Sequence, residues 1–181
     1  MKPSIGIILA RFQPVHNGHL ELIKKAYEEN DFVYVFIGSS DKQNERNPIP
    51  YQIRCNLLTV ALQELHITER INIFPLPDLY GEQNDAYSWG FYLYANIVNI
   101  IGQGSFNLYY GDGSSKIVTW FPDYILGKYV KMKYVDRSFF SVSSTMVRQK
   151  IEEMDSLEGL VPQIVIDKSD LIKTYIELYE M

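Results

Sequence analysis

The sequence predicts an α/β fold: an open, mostly parallel sheet with helices on both of its faces. Three observations carry this. Short apolar runs rich in β-branched and aromatic residues recur along the chain, segments with helical spacing fall between them, and each run is stopped by a loop. Parallel neighbours cannot be joined by a hairpin, so every return needs a crossover, and an alternation of strand and helix is its signature.

In chain order, Ile5 to Leu9 and Phe32 to Ile37 read as strands buried on both faces. Between them Leu20, Ile23, Lys24 and Tyr27 give helical spacing after Asn17, a good N-cap type. The alternation continues with a helix over Tyr51 to Leu65, a strand at Ile71 to Pro75, a helix through Trp89 to Ile101 and a strand at Phe106 to Tyr110. A last strand near Tyr129 to Val135 leads into a helix from Ser144 to Met154, and a further helix spans Ser169 to Tyr179. No repeat, low-complexity tract or linker divides the 181 residues, so the reading is one domain over 1–181, with 155–181 a helical extension packing on it. Ser39 to Asn47 is the expected mobile loop. In an open sheet of this kind the ligand crevice lies at the carboxyl ends of the strands.

Composition narrows the functions. With 46% hydrophobic and 22% charged residues, the chain can bury one sizeable core. A net charge of −5 argues against a general nucleic-acid or anionic-membrane surface, because such surfaces neutralise phosphates with clustered Lys and Arg. Any phosphate binding must then be local. The single cysteine, Cys55, cannot form an intramolecular disulfide and reads as a small buried hydrophobe in a reducing compartment. The apolar stretch near the N-terminus is too short for a signal or a membrane span, which gives a cytoplasmic expectation. Nothing in the sequence requires or excludes a homo-oligomer.

The first strand runs into Ala10-Arg11-Phe12-Gln13-Pro14-Val15-His16-Asn17-Gly18-His19. His16 and His19 are three apart at the mouth of a helix, so both imidazoles can face the spot where backbone N–H groups and the helix dipole favour an anion. Gly18 removes a side chain where a phosphate would approach. A zinc site would need a third ligand, and this segment offers none. Late in the chain Ser143-Ser144-Thr145-Met146-Val147-Arg148 follows the last strand and opens a helix. Its hydroxyls and amides suit phosphate oxygens, and Arg148, one turn on, adds a fixed fork of donors.

The two motifs, in this order at the two ends of a Rossmann-like domain, resemble the H-x-G-H and S-S-T-x-x-R signatures of the nucleotidyltransferase superfamily. The lead-in Arg11-Phe12-Gln13-Pro14 is similar to that of the nicotinamide mononucleotide adenylyltransferases, in the archaeal-type branch and in bifunctional enzymes that also carry a Nudix hydrolase. Asn47-Pro48 followed by Arg54 is similar to the family's N-P-F-x-x-x-E-R segment, and Asn84-Asp85 with Trp89 resembles the stretch whose aromatic stacks on nicotinamide. Gly111-Asp112 with Ser114-Ser115 and Phe121-Pro122 resembles the segment after the fourth strand. The chain departs from the family at Ala10, where Gly is usual, and at Ile49 and Ile53, which replace Phe and Glu. There is no Nudix box and no P-loop.

The resemblance implies transfer of AMP from ATP to nicotinamide mononucleotide, giving NAD and pyrophosphate. It gives His16, His19 and Arg148 the catalytic role of holding the ATP phosphates. Arg11, Phe12, Gly18, Ser143, Ser144, Thr145, Gly111 and Asp112 fall on the ATP side, and Trp89, Asn84, Asp85 and Arg54 on the acceptor side. Mg²⁺ would be held mainly by phosphates, with no direct protein ligand. An acceptor phosphate with a second pKa near 6 is mostly dianionic at neutral pH, so it is its own nucleophile and no protein base is needed. For Trp89 the competing reading is a core aromatic; Trp120 is assigned to packing. Two rival functions are a related enzyme with another acceptor, such as phosphopantetheine or glycerol phosphate, and a non-catalytic nucleotide sensor.

Overall fold

The computed structural model describes residues 2–78, 86–136 and 141–179, without the side chains of 86, 87 and 112–115. Five strands form one sheet: β1 (Ile5–Ala10), β2 (Phe32–Gly38), β3 (Ile71–Leu76), β4 (Phe106–Tyr110) and β5 (Val130–Tyr134). Their order is β3-β2-β1-β4-β5 and every pairing is parallel. The chain winds outward from β1 to β3 and then returns to the other side of β1. The crevice between the ends of β1 and β4 is therefore the topological switch point.

Helices α1 (Asn17–Glu29), α2 (Tyr51–Glu64), α4 (Ser144–Glu152), α5 (Gln163–Asp167) and α6 (Ser169–Glu177) feed one core cluster, and α3 (Ala86–Ile101) feeds another. β1 supplies both, because successive side chains of a strand point to opposite faces: Ile8 joins the α1 side, while Ile5 and Ile7 join the α3 side. Each fully buried aliphatic side chain contributes about 1.5–3 kcal/mol relative to exposure. This is why apolar runs with no polar alternation end up in the central strands, covered on both sides.

Leu157, Val161, Val165, Ile172 and Ile176 of the C-terminal segment are buried in the α1-side cluster, against α2 and α4. Two short elements had no sequence expectation: α5, and a 3₁₀ helix at Asp112–Thr119. Both are shorter than the window over which helical periodicity can be read. The start of α1 also differs by one residue. His16 is the N-cap, with extended φ −144° and ψ 168°, and Asn17 is the first helical residue. The stretch 39–47 carries its own short bridge, Asn44 to Asn47, and is tied to β3 by Ser40 N–H donating to Leu76 O. None of the described helices is long and apolar enough to cross a membrane.

Candidate active site

Residues 11–16 leave β1 and turn into α1 through a strained bend. Phe12 has φ 53°, and the peptide bond between Gln13 and Pro14 is cis. A non-glycine residue at positive φ costs roughly 1–3 kcal/mol and persists only where surroundings enforce it. Three such restraints are visible. Phe12 is wholly buried. The Gln13 amide bonds both ways to the backbone of Ile49, accepting from its N–H at 3.0 Å and donating to its carbonyl at 3.1 Å. Arg54 donates to the Arg11 carbonyl at 2.7 Å.

The histidines meet as their spacing suggested. His16 is buried, its ring stacked on that of His19 with centroids 3.6 Å apart. His19 Nδ1 accepts the His16 backbone N–H at 3.3 Å. With Nδ1 committed as an acceptor, the ring proton of neutral His19 sits on Nε2.

The late motif closes on the same bend. Ser144 Oγ donates to Pro14 O at 3.1 Å, and Arg148 Nη1 donates to Gln13 O at 2.8 Å. Ser143 caps α4, its Oγ accepting the Met146 N–H at 3.2 Å. Thr145 is exposed and, with Arg148, lines a cleft of about 200 Å³ walled also by Pro48, Glu152, Ile176 and Tyr179. Burial lowers the pKa of Arg148; the Glu152 carboxylate opposes this and the charge of Arg11 adds to it. Arg54 shows the same pattern, pushed down to about 10 by burial first, with Arg11 again contributing, and so remains a cation at neutral pH. Arg11 is thus within electrostatic reach of both Arg54 and Arg148 in a chain of net charge −5. Among the described residues no cluster of three or more His, Cys, Asp or Glu side chains is placed to hold a metal. The donor set is hydroxyl, imidazole and guanidinium, which fits phosphate oxygens, so a metal here would take its ligands mainly from phosphate.

Several expectations change. Arg54, expected at the acceptor, is 0% exposed; its Nη atoms donate to the carbonyls of Arg11, Gly38 and Ser39 at 2.7, 2.7 and 3.0 Å. It clamps the ends of β1 and β2 together and has no face open to a substrate. Trp89, expected to stack on nicotinamide, is 6% exposed within the α3-side cluster, against Tyr92 and edge-on to Trp120. That is the core reading of this residue. Phe12, expected on the ATP side, has its ring buried 4.7 Å from His19, where it supports that imidazole. Gly18 makes room for protein rather than ligand: a Cβ there would lie 3.2 Å from His16 Nδ1 and 3.5 Å from a Val142 methyl. The helix mouth also offers fewer backbone donors than expected, since Asn17 N–H bonds to Leu160 O and His19 N–H to His16 O. Asn84 and Asp85 lie outside the described residues, as do the side chains of Asp112, Ser114 and Ser115; Gly111 is buried directly after β4.

Gln13, Asn17 and the C-terminal residues of the cleft were given no site role by sequence. The clue available was the family-like lead-in for Gln13; Asn17 and the tail carry no local signal. A further cluster closes the ends of β2 and β3, where Asp78 accepts from Ser39 Oγ at 3.2 Å and pairs with Lys42 at 2.8 Å.

Comparison with known proteins places the chain in a family. Residues 7–175 match the model of the cytidylyltransferase-like family. The nicotinamide-nucleotide adenylyltransferase of Thermococcus kodakarensis is 30% identical over 164 residues, 90% of this chain and 80% of that protein. That of Thermococcus onnurineus is 28% identical over 166 residues, 91% and 81% of the two chains. In fold, the chain superposes on the bifunctional nicotinamide mononucleotide adenylyltransferase/ADP-ribose pyrophosphatase of Francisella tularensis, solved with AMP and a manganese ion. The TM-score is 0.69 at 22% identity, over 99% of this chain and 51% of that one. With its Rossmann-like sheet and both motifs gathered at the switch point, the chain belongs to the cytidylyltransferase-like family, which it shares with the nicotinamide-nucleotide adenylyltransferases.

Proposed function

We propose that this protein is a nucleotidyltransferase that moves the AMP group of ATP onto nicotinamide mononucleotide, releasing pyrophosphate and forming NAD. One observation carries the site assignment: Arg148 and Ser144, at the start of α4, bond to the carbonyls of Gln13 and Pro14, so two motifs more than 120 residues apart in sequence form one crevice. Relatives spanning four-fifths of their own length support the choice of acceptor.

The chemistry asks little of the protein beyond position and charge. The acceptor phosphate attacks the α-phosphorus in line, the bond to the bridging oxygen breaks, and pyrophosphate leaves. His19 donates from Nε2 and Arg148 from its remaining guanidinium N–H groups to phosphate oxygens that gain charge as this happens. Arg11 adds positive potential to the same place. A divalent ion bound with the nucleotide, Mg²⁺ on this reading, would supply further charge neutralisation for the departing pyrophosphate.

Pyrophosphate release measured with nicotinamide mononucleotide, phosphopantetheine and glycerol phosphate tests the reading. Turnover fastest with nicotinamide mononucleotide supports it; preference for another acceptor, or no release with any, overturns it. Trp89→Ala adds a residue-level test. Its burial predicts a loss of about 3–5 kcal/mol in stability, with both substrates affected together. A selective rise of the acceptor KM in a stable variant would return Trp89 to the acceptor site.

A further inference from the structure

The start of α1 is fastened by a hook from the far end of the chain. Asn17 makes two bonds there: its backbone N–H donates to Leu160 O and its side-chain Nδ2 to Gly159 O, both at 2.9 Å. The two acceptors are consecutive carbonyls. They are presented by a turn closed by Leu160 N–H donating to Leu157 O, in which Gly159 takes φ 73°. The turn is rooted on both sides, since Leu157 and Val161 are buried in the cluster that holds Leu20, Ile23 and Val147. Asn17 follows His16 and precedes Gly18 and His19. The bend before His16 is held by α4 through Pro14 and Gln13. The histidine pair is therefore held at two points, by α4 on its N-terminal side and by the turn at Asn17, between its two members. Position 17 needs a donor here: an aspartate of the same shape would turn an oxygen toward the Gly159 carbonyl, and alanine would leave only the backbone bond.

We propose that Asn17 is a positioning residue of the phosphate site and that the turn Leu157–Leu160 works with it, setting where His16 and His19 stand relative to Arg148. The proposal rests on the adenylyltransferase reading for its kinetic test and on geometry alone for its second test. Asn17 touches no reacting atom; it acts through the first turn of α1. A displacement of about 1 Å at a reacting centre can lower turnover by as much as roughly 10². Asn17→Asp and Asn17→Ala are expected to lower kcat roughly tenfold to a hundredfold, while the KM values for ATP and nicotinamide mononucleotide each stay within about threefold. Gly159→Ala should act in the same direction and more weakly. Its Cβ meets nothing within 4 Å, so only the positive φ is strained and the carbonyl is re-aimed.

The second test needs no turnover. The chain has three histidines, His16, His19 and His66, so their imidazole proton resonances can be followed separately during titration with ATP. In the parent protein the first two should shift and His66, at the far end of α2, should not. In Asn17→Asp the ATP-induced shift of His19 should fall below about half of its parent value. Folded Asn17→Asp and Gly159→Ala proteins with kcat within twofold of the parent and an unchanged His19 shift would overturn the proposal, as would a rise in KM at constant kcat. A parent protein that binds ATP with these shifts but releases no pyrophosphate with any acceptor would instead defeat the adenylyltransferase reading, leaving the hook to be judged on the resonances.

Discussion

Two polar clusters lie near the line between β1 and β4, one beyond their carboxyl ends and one under α1 toward their amino ends, and they are built on opposite rules. In the lower cluster donors and acceptors are matched. Asn30 Nδ2 donates to Ala26 O at 2.7 Å and to Tyr109 Oη at 2.8 Å, and its Oδ1 accepts from Asn107 at 2.7 Å. The Tyr109 hydroxyl donates to Glu29 at 2.7 Å, and Lys25 pairs with the same carboxylate. In the upper cluster like charges are crowded: Arg11 lowers the pKa of both Arg54 and Arg148. The lower arrangement lowers the energy of the folded chain by itself. In the upper one Arg54 is held by three carbonyls and Arg148 by Gln13 O, while the charge of Arg11 opposes both, an arrangement that a bound polyanion would relieve. On the proposed function the upper cluster serves the phosphates and the lower one the fold, so substitutions in the two should separate into effects on turnover and effects on stability.

The largest effect is expected at His19. His19→Ala removes the donor whose tautomer is fixed by the His16 N–H, and turnover should fall by roughly 10²–10⁴, the range for a positioned catalytic side chain. The thermal midpoint should change by no more than a few degrees, since the half-buried ring is not part of the apolar core. Stopped or continuous pyrophosphate assays beside a melting curve decide it; a folded variant with near-parental activity would end the phosphate-site assignment. Arg148→Lys comes next. One Nη group bonds Gln13 O, so the parent guanidinium can hold the bend and face the cleft at once, which a lysine's point charge cannot do. A fall of roughly tenfold to a hundredfold at saturating ATP is expected. Equal activity would make Arg148 a strut for the bend and nothing more.

The same contrast explains what the sequence could reveal. Strands β1 and β2 were legible because both faces of a central strand must be apolar, and the meeting of His16 and His19 because residues three apart at a helix start share one face; Arg148 was singled out by its place in a motif that suits phosphate oxygens. Arg54 and Trp89, expected on the acceptor side, are buried for one reason: whether a guanidinium or an indole faces a ligand or the interior depends on which backbone carbonyls and rings the fold brings to it. Arg54 meets three carbonyls from residues 11, 38 and 39, and Trp89 meets Trp120, none of them local on its helix. Asn17 was assigned the cap that His16 occupies, because its true partners, Gly159 and Leu160, lie more than 140 residues away. The 3₁₀ helix and α5 are too short to show a period.

In the lower cluster the effects should fall on stability. Tyr109→Phe leaves the shape of the core intact but withdraws the hydroxyl that accepts from Asn30 and donates to Glu29. Asn30 is buried, and its Nδ2 keeps only the Ala26 carbonyl. A loss of about 1–3 kcal/mol is expected, seen as a lower urea midpoint with an unchanged slope. Turnover per folded molecule should be parental; a fall in kcat would mean that the two clusters are coupled through β4.

The smallest effect, and the one that tests the sign of the electrostatics, is at Glu29. The Tyr109 hydroxyl is the main cause that lowers its pKa, with Lys25 second, while partial burial works against them. A carboxyl whose folded pKa lies below its ordinary value near 4.5 binds protons more weakly in the folded than in the unfolded state. Its contribution is then fully present above that ordinary value and disappears as the pH falls through the folded pKa. The side chain is about a third exposed, so screening keeps the contribution small, below about 1 kcal/mol. Glu29→Gln cannot ionise and removes this pH dependence while keeping an oxygen that can accept from Tyr109. The gap in stability between parent and variant should be widest near neutrality and close on acidification below about pH 4.5, with turnover equal throughout. A gap that stays constant down to pH 3 would show that the carboxylate's charge contributes nothing and that its neutral hydrogen bond carries the cluster. A gap that widens on acidification would reverse the sign and mean that the lower cluster holds a charge at a cost.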